Sequence, residues 1–203
     1  MGKNTPPLDH PGKMKYIGVH LFNELRWLLG AATEWSIQDQ LKLKIVGYDM
    51  QVYCLDSAAL HARTLFEFFV GKTTDNYYGC DQFLGAGSVL KSDSYQDWIS
   101  PLHSYLMHAQ DRSCPRSLNT TDGPKDLKEM PVYFAREILR LWREFEEQIG
   151  NSSDPTDQEL KTLAREKRKE AIEDAQCAVN SPVAQLHAAL KLQQLKPVFV
   201  FEG

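Results

Sequence analysis

The chain has 203 residues, 23 Lys and Arg against 27 Asp and Glu, and a formal net charge of −4. That balance suits one ordinary globular domain and excludes a nucleic-acid-wrapping surface built on overall positive charge, so any polyanion site has to be a local patch. No stretch approaches the roughly 18 consecutive apolar residues of a membrane helix. The start, MGKNTPPLDHPGKMK, carries charge and proline where a signal peptide carries an apolar run, so the expectation is an intracellular, cytoplasmic protein without membrane contact.

Residues 1–13 include Pro6, Pro7, Pro11 and Gly12, which punctuate the chain too often for a helix or strand. They are expected to form a flexible N-terminal tail, followed by a single α-helical domain over 14–203. From Tyr16, the residues Ile17, Leu21, Leu25 and Leu28 recur at helical spacing, and Gly30 is placed to end that helix. Ser36 and Asp39 read as an N-cap arrangement opening a long segment from Ile37 to about Val70, with a bend permitted at Gly47. The second half of this segment, MQVYCLDSAALHARTLFEFFV, is apolar on most faces and predicts a central helix packed on several sides.

Residues 71–100 are rich in Gly, Asp, Ser and Thr, with short aromatic patches at Tyr77-Tyr78 and Phe83, and predict a long ordered loop. Pro101 then suits the first turn of a short helix, LHSYLMHAQDR, and Ser113 to Gly123 reads as another loop. Pro131 opens a strongly amphipathic helix with Phe134, Ile138, Leu141, Phe145 and Ile149 toward the core. Arg136, Glu137, Arg140, Glu144 and Glu147 fall on the opposite side, where Arg140 and Glu144 can pair. A charged helix follows from about Asp154–Thr156, then AQLHAALKL after Pro182. The tail KPVFVF reads as an edge strand or an extended segment laid on the bundle. The fold class is all-α: an up-and-down helical bundle with a long loop region and an extended C-terminal tail.

The chemistry-bearing motifs are few. Cys54, Cys80, Cys114 and Cys177 lie far apart with no C-x-x-C pair, which favours reduced, semi-buried thiols over disulfides or a zinc cluster. Phosphate-loop, dinucleotide, zinc-protease and serine-hydrolase fingerprints do not occur, so no metal and no cofactor is expected. Two polar clusters interrupt apolar helices. In Leu60-His61-Ala62-Arg63-Thr64-Leu65-Phe66-Glu67, a buried Arg63 would need a partner, and Glu67 stands at i+4; a structural ion pair accounts for both.

The second cluster holds His103, Tyr105, His108 and Arg112, with His108 and Arg112 one turn apart on one face. Metal-free RNA cleavage needs a proton-exchanging group beside a cation that stabilises the phosphorane, and such a pair supplies both. The same residues would equally serve to cap a helix. The basic run Lys161 to Lys169 is interleaved with acids, Lys169 and Glu173 among them, and reads as a solvated helix face.

The run from Tyr53 to Phe69, centred on ALHARTLFEFF, resembles a helix in uncharacterised bacterial proteins with a His-Ala-Arg-Asn-Leu-(Ile/Leu)-(Asp/Glu)-Phe motif. In those proteins an acidic loop and a short His-Leu-Thr-x-x-Arg helix follow. Here Asp81-x-Phe83 resembles the loop, and Leu106 to Arg112 the second motif, so the likeness spans about residues 37–150. Such proteins are similar to the HEPN superfamily of helical bundles, many of them RNases of toxin–antitoxin and phage-defence systems. In that superfamily an Arg precedes the active-site His by four to six residues; here His103 stands in that place and Arg112 follows His108.

The resemblance implies a HEPN-like protein that binds RNA or a nucleotide phosphate, with a metal-independent ribonuclease as its enzyme version. His108 would be the general acid/base, with Arg112 and Arg63 on the phosphate. His61, His103 and Tyr105 would bind substrate. The alternative is a non-catalytic module that binds a partner protein, or a homodimer scaffold.

Overall fold

The computed structural model describes residues 6–41, 50–74, 77–92, 95, 117–120, 123–126, 130–149, 154–190 and 194–202. The chain is all-α among these residues apart from one short hairpin. Helix α1 (His10–Lys15) leads through a π-helical turn (Tyr16–Leu21) directly into α2 (Phe22–Leu41). Then come α3 (Met50–Val70), the single turn α4 (Asp81–Leu84), strands β1 (Ser117–Thr120) and β2 (Gly123–Asp126), α5 (Met130–Ile149), α6 (Pro155–Val179) and α7 (Pro182–Leu190).

Helix formation begins earlier than the proline-rich start predicts. Pro11 lies in the first turn of α1, where its missing N–H costs nothing, and Asp9 accepts a 2.8 Å hydrogen bond from the Gly12 N–H as the cap. Leu8 packs against the core and His10 reaches Glu159 at 3.1 Å, so this stretch belongs to the bundle. Gly30 does not end a helix and Ser36 does not start one. Both lie inside α2, where Ser36 Oγ accepts from Gln40 Nε2 at 3.0 Å. A mid-helix glycine costs about 1 kcal/mol, less than is gained by burying Leu28, Leu29 and Ala32 on the continuous helix. The expected segment from Ile37 to Val70 is therefore divided: α2 ends at Leu41, α3 begins at Met50, and Gly47 falls outside the described residues.

Helices α2, α3, α5 and α6 surround one core, each packed on its neighbours. The α2–α3 pair is antiparallel, as Glu24 meets His61 while Tyr53 and Cys54 lie by Glu34. Helix α6 accompanies α2 in the same direction, from Phe22 beside Lys167 to Arg26 beside Asp174. The stripe predicted for α5 is buried at every position: Phe134, Ile138, Leu141, Phe145 and Ile149. Its rings meet those of α3 edge to face, Phe69 on Trp142 at 5.9 Å and Phe68 on Phe145 at 5.4 Å. A smaller core joins Ile37 and Leu41 to Val179, Ala184, Ala188 and Leu195.

The segment after α3 folds back to satisfy the carbonyls at that helix's end. The Cys80 N–H donates to the Phe68 carbonyl at 2.8 Å and the Leu90 N–H to that of Phe69 at 2.9 Å. Gly79 is required here, because a Cβ would stand 2.7 Å from the Gly71 carbonyl oxygen. Part of the loop expected at Ser113–Gly123 is instead a hairpin strand, with Ser117 opposite Asp126 and Thr120 opposite Gly123. The expected helix LHSYLMHAQDR lies outside the described residues. The C-terminal residues take the second of the two expected forms, an extended segment on the bundle: Leu195 and Phe199 are buried, and the Phe199 carbonyl accepts from Gln176 Nε2 at 2.9 Å.

Candidate functional site

On α3, Tyr53, Ser57, His61 and Thr64 recur at spacings of three and four, so they share the side of the helix turned to α2. There His61 Nδ1 pairs with Glu24 Oε2 at 2.8 Å, and its ring lies 5.0 Å from that of Trp27. Arg63, two residues on, is turned to a different side, and its Nε donates to Glu67 Oε1 at 2.9 Å. Arg63 and Glu67 also act on the nearby Tyr95 phenol, which is pushed up by burial first and then by the Glu67 charge. Each of these two sequence-predicted residues is thus engaged by its own carboxylate rather than joined to the other. His103, Tyr105, His108 and Arg112 lie outside the described residues.

The two carboxylates, unlike their partners, meet at one place. Glu24 and Glu67 line a cavity of about 190 Å³, together with Tyr16 and His20 from the π-helical turn and Tyr77 and Tyr78 from the segment after α3. The Tyr16 ring is fixed among neighbours, 5.4 Å from His20, 5.8 Å from Phe68 and 5.5 Å from Tyr78. Burial, then Glu24 and Tyr78, push its phenol up to about 12. Sequence reasoning missed these residues, since a π turn has no sequence signature and Glu24 is 37 positions from His61.

A second concavity, of about 670 Å³, runs between α2, α3 and α6. Trp27 and Tyr53 stand half exposed along it, and Gly30 and Ala31 give it a low floor. Its rim carries the Arg26–Asp174 ion pair at 2.7 Å and Glu34, which accepts from Gln38 Nε2. Leu60, also half exposed, lies two turns from Tyr53 on α3.

A third opening, about 380 Å³, contains Arg136, Arg143 and Arg168 beside the C-terminal segment. Arg168 corrects the expectation of a wholly solvated basic face: it is buried in a two-bonded pair with Glu146. Lys169 does lie on the solvated side, 3.7 Å from Glu173. Among the described residues no group of three or more His, Cys, Asp or Glu is placed to hold a metal ion, and no helix is long and apolar enough to cross a membrane. No family model matches the chain, and no curated protein or solved structure matches it.

Proposed function

We propose that the chain is a helical protein-interaction module whose groove between α2, α3 and α6 receives an amphipathic segment of a partner protein. The observation that carries this reading is the pair of half-exposed aromatic side chains, Trp27 and Tyr53, flanking a floor of Gly30 and Ala31. Exposed Trp and Tyr beside a concavity are the residue types that anchor interfaces, and a small-residue floor admits a closely approaching backbone. The rim fixes the partner's charge. Arg26 is neutralised by Asp174, which leaves Glu34 as the surplus, so a basic residue beside the partner's apolar anchors is complementary.

The test is fluorescence anisotropy with a labelled amphipathic helical peptide of Leu and Lys, alongside single-stranded RNA and sedimentation of the protein alone. Saturable peptide binding that weakens by about tenfold or more in Trp27→Ala, with the melting temperature unchanged, is the expected result. Absence of saturable peptide binding, or equal binding by wild type and Trp27→Ala, refutes the docking groove. A dimer lost in Trp27→Ala would replace the foreign partner by a second copy.

One observation favours the RNA reading as the second. His61 is held through one ring nitrogen by Glu24, the kind of carboxylate support that orients an imidazole for proton transfer. RNA bound in a salt-dependent way, and cleaved without metal to a 2′,3′-cyclic phosphate in wild type but not in His61→Ala, would put that reading first.

A further inference from the structure

The cavity at the π-helical turn has a composition that selects its ligand by charge. Its lining holds two carboxylates, Glu24 and Glu67, the four aromatic rings of Tyr16, Phe68, Tyr77 and Tyr78, one histidine, and no Lys or Arg. Neither His61 nor Arg63 lines the space, but Arg63 pairs with Glu67 at 2.9 Å, so the surplus negative charge rests with Glu24, whose partner at 2.8 Å is an imidazole and not a permanent cation. An anion entering here would meet both carboxylates. A cation would meet them among aromatic rings, whose quadrupoles attract positive charge.

Size narrows the class further. About 190 Å³ is the liquid volume of roughly six waters, well below a drug-sized pocket. The walls are also set in advance: the Tyr16 ring packs among His20, Phe68, Tyr78 and Phe83, so little order has to be gained on binding. A π-helical turn supplies part of the lining, and such insertions are frequent at functional sites.

We propose that this cavity binds a small organic ammonium group, its charge against Glu24 and its alkyl part against Tyr16, Phe68 and Tyr78. The site stands independently of the docking groove, with which it shares no lining residue, and a free amine and a lysine side chain present the same chemistry to it. Calorimetric titration of the whole chain separates these sources, using choline chloride, Nα-acetyl-lysine amide and the uncharged choline isostere 3,3-dimethyl-1-butanol.

The expected result is saturable binding of at least one of the two cations, with the uncharged isostere weaker by about tenfold. Tighter binding of choline assigns a free small molecule, and tighter binding of the lysine derivative a protein side chain. Glu24→Gln should weaken the cation by about tenfold. Tyr77→Ala, at a more exposed position, should weaken it severalfold while leaving the melting temperature unchanged. Equal binding of cation and isostere, or no saturable heat from either cation at tens of millimolar, overturns the proposal.

Discussion

Arg168 of α6 and Glu146 of α5 form a fork-on-fork pair inside the bundle. Nε meets Oε1 at 2.8 Å and a terminal guanidinium nitrogen meets Oε2 at 3.1 Å, with the residues 4% and 6% exposed. The guanidinium also stacks over the Phe201 ring at 4.7 Å and donates to the Glu202 carbonyl at 3.3 Å. One charged pair therefore ties α5, α6 and the C-terminal segment together. Glu146→Ala leaves a buried cation unpaired and should cost about 3–5 kcal/mol, whereas Glu146→Leu with Arg168→Met should cost less. Urea unfolding of the single and double variants measures this; a double variant as unstable as the single one would contradict it.

The Arg63–Glu67 pair is less enclosed, its side chains 24% and 23% exposed. The partial burial expected from the sequence is present, but solvent still screens the pair, so a double-mutant cycle with Arg63→Met and Glu67→Gln should give about 1 kcal/mol of coupling. Coupling indistinguishable from zero would show that the pair serves neither α3 nor its surroundings.

Thr33 supplies a test of the opposite sign. It is buried in α2 at 1% exposure, and its hydroxyl oxygen has no hydrogen-bond partner among the described residues. Thr33→Val keeps the shape and removes the unmet desolvation, so it should raise stability by about 1 kcal/mol. A lower unfolding midpoint for Thr33→Val would show that the hydroxyl is satisfied.

These residues also mark which features a linear sequence can express. The α5 stripe is legible because its period alone sets which side is buried, and Arg140–Glu144 and Arg63–Glu67 because i, i+4 neighbours touch whatever surrounds them. Gly30 and Ser36 mislead because burial across four helices outweighs local stop and start signals. In the run from Lys161 to Lys169, Arg168 shares the buried side of α6 with Leu160, Ala164 and Ala171, a spacing that the interleaved charges obscure, and its partner Glu146 stands 22 residues before it. The cavity is still further from sequence. It assembles the π turn, α2, α3 and the segment after α3, whose shared feature, two acidic residues lining one space with aromatic ones, exists only after folding.

The buried Cys80 and the half-buried Tyr16 predict how stability responds to alkali. Burial chiefly pushes the Cys80 thiol from 9.0 up to about 11, and the thiol donates to the Phe69 carbonyl at 3.0 Å, a bond that only the protonated form makes. The folded state thus holds this proton more tightly than the unfolded chain. Its contribution is complete below pH 9.0 and is lost as pH rises toward about 11, on the order of 2 kcal/mol in all. Tyr16 adds a second loss with the same sign, from 10.0 toward about 12. Urea midpoints under reducing conditions should therefore fall with pH from 9.0 upward. In Cys80→Ala the first part of that fall should flatten while the Tyr16 part persists. Native thiol labelling at pH 8 should modify the exposed Cys177 well before Cys80. Wild type and Cys80→Ala declining in parallel, or Cys80 labelled as fast as Cys177, would show that the thiol is not enclosed behind Phe69.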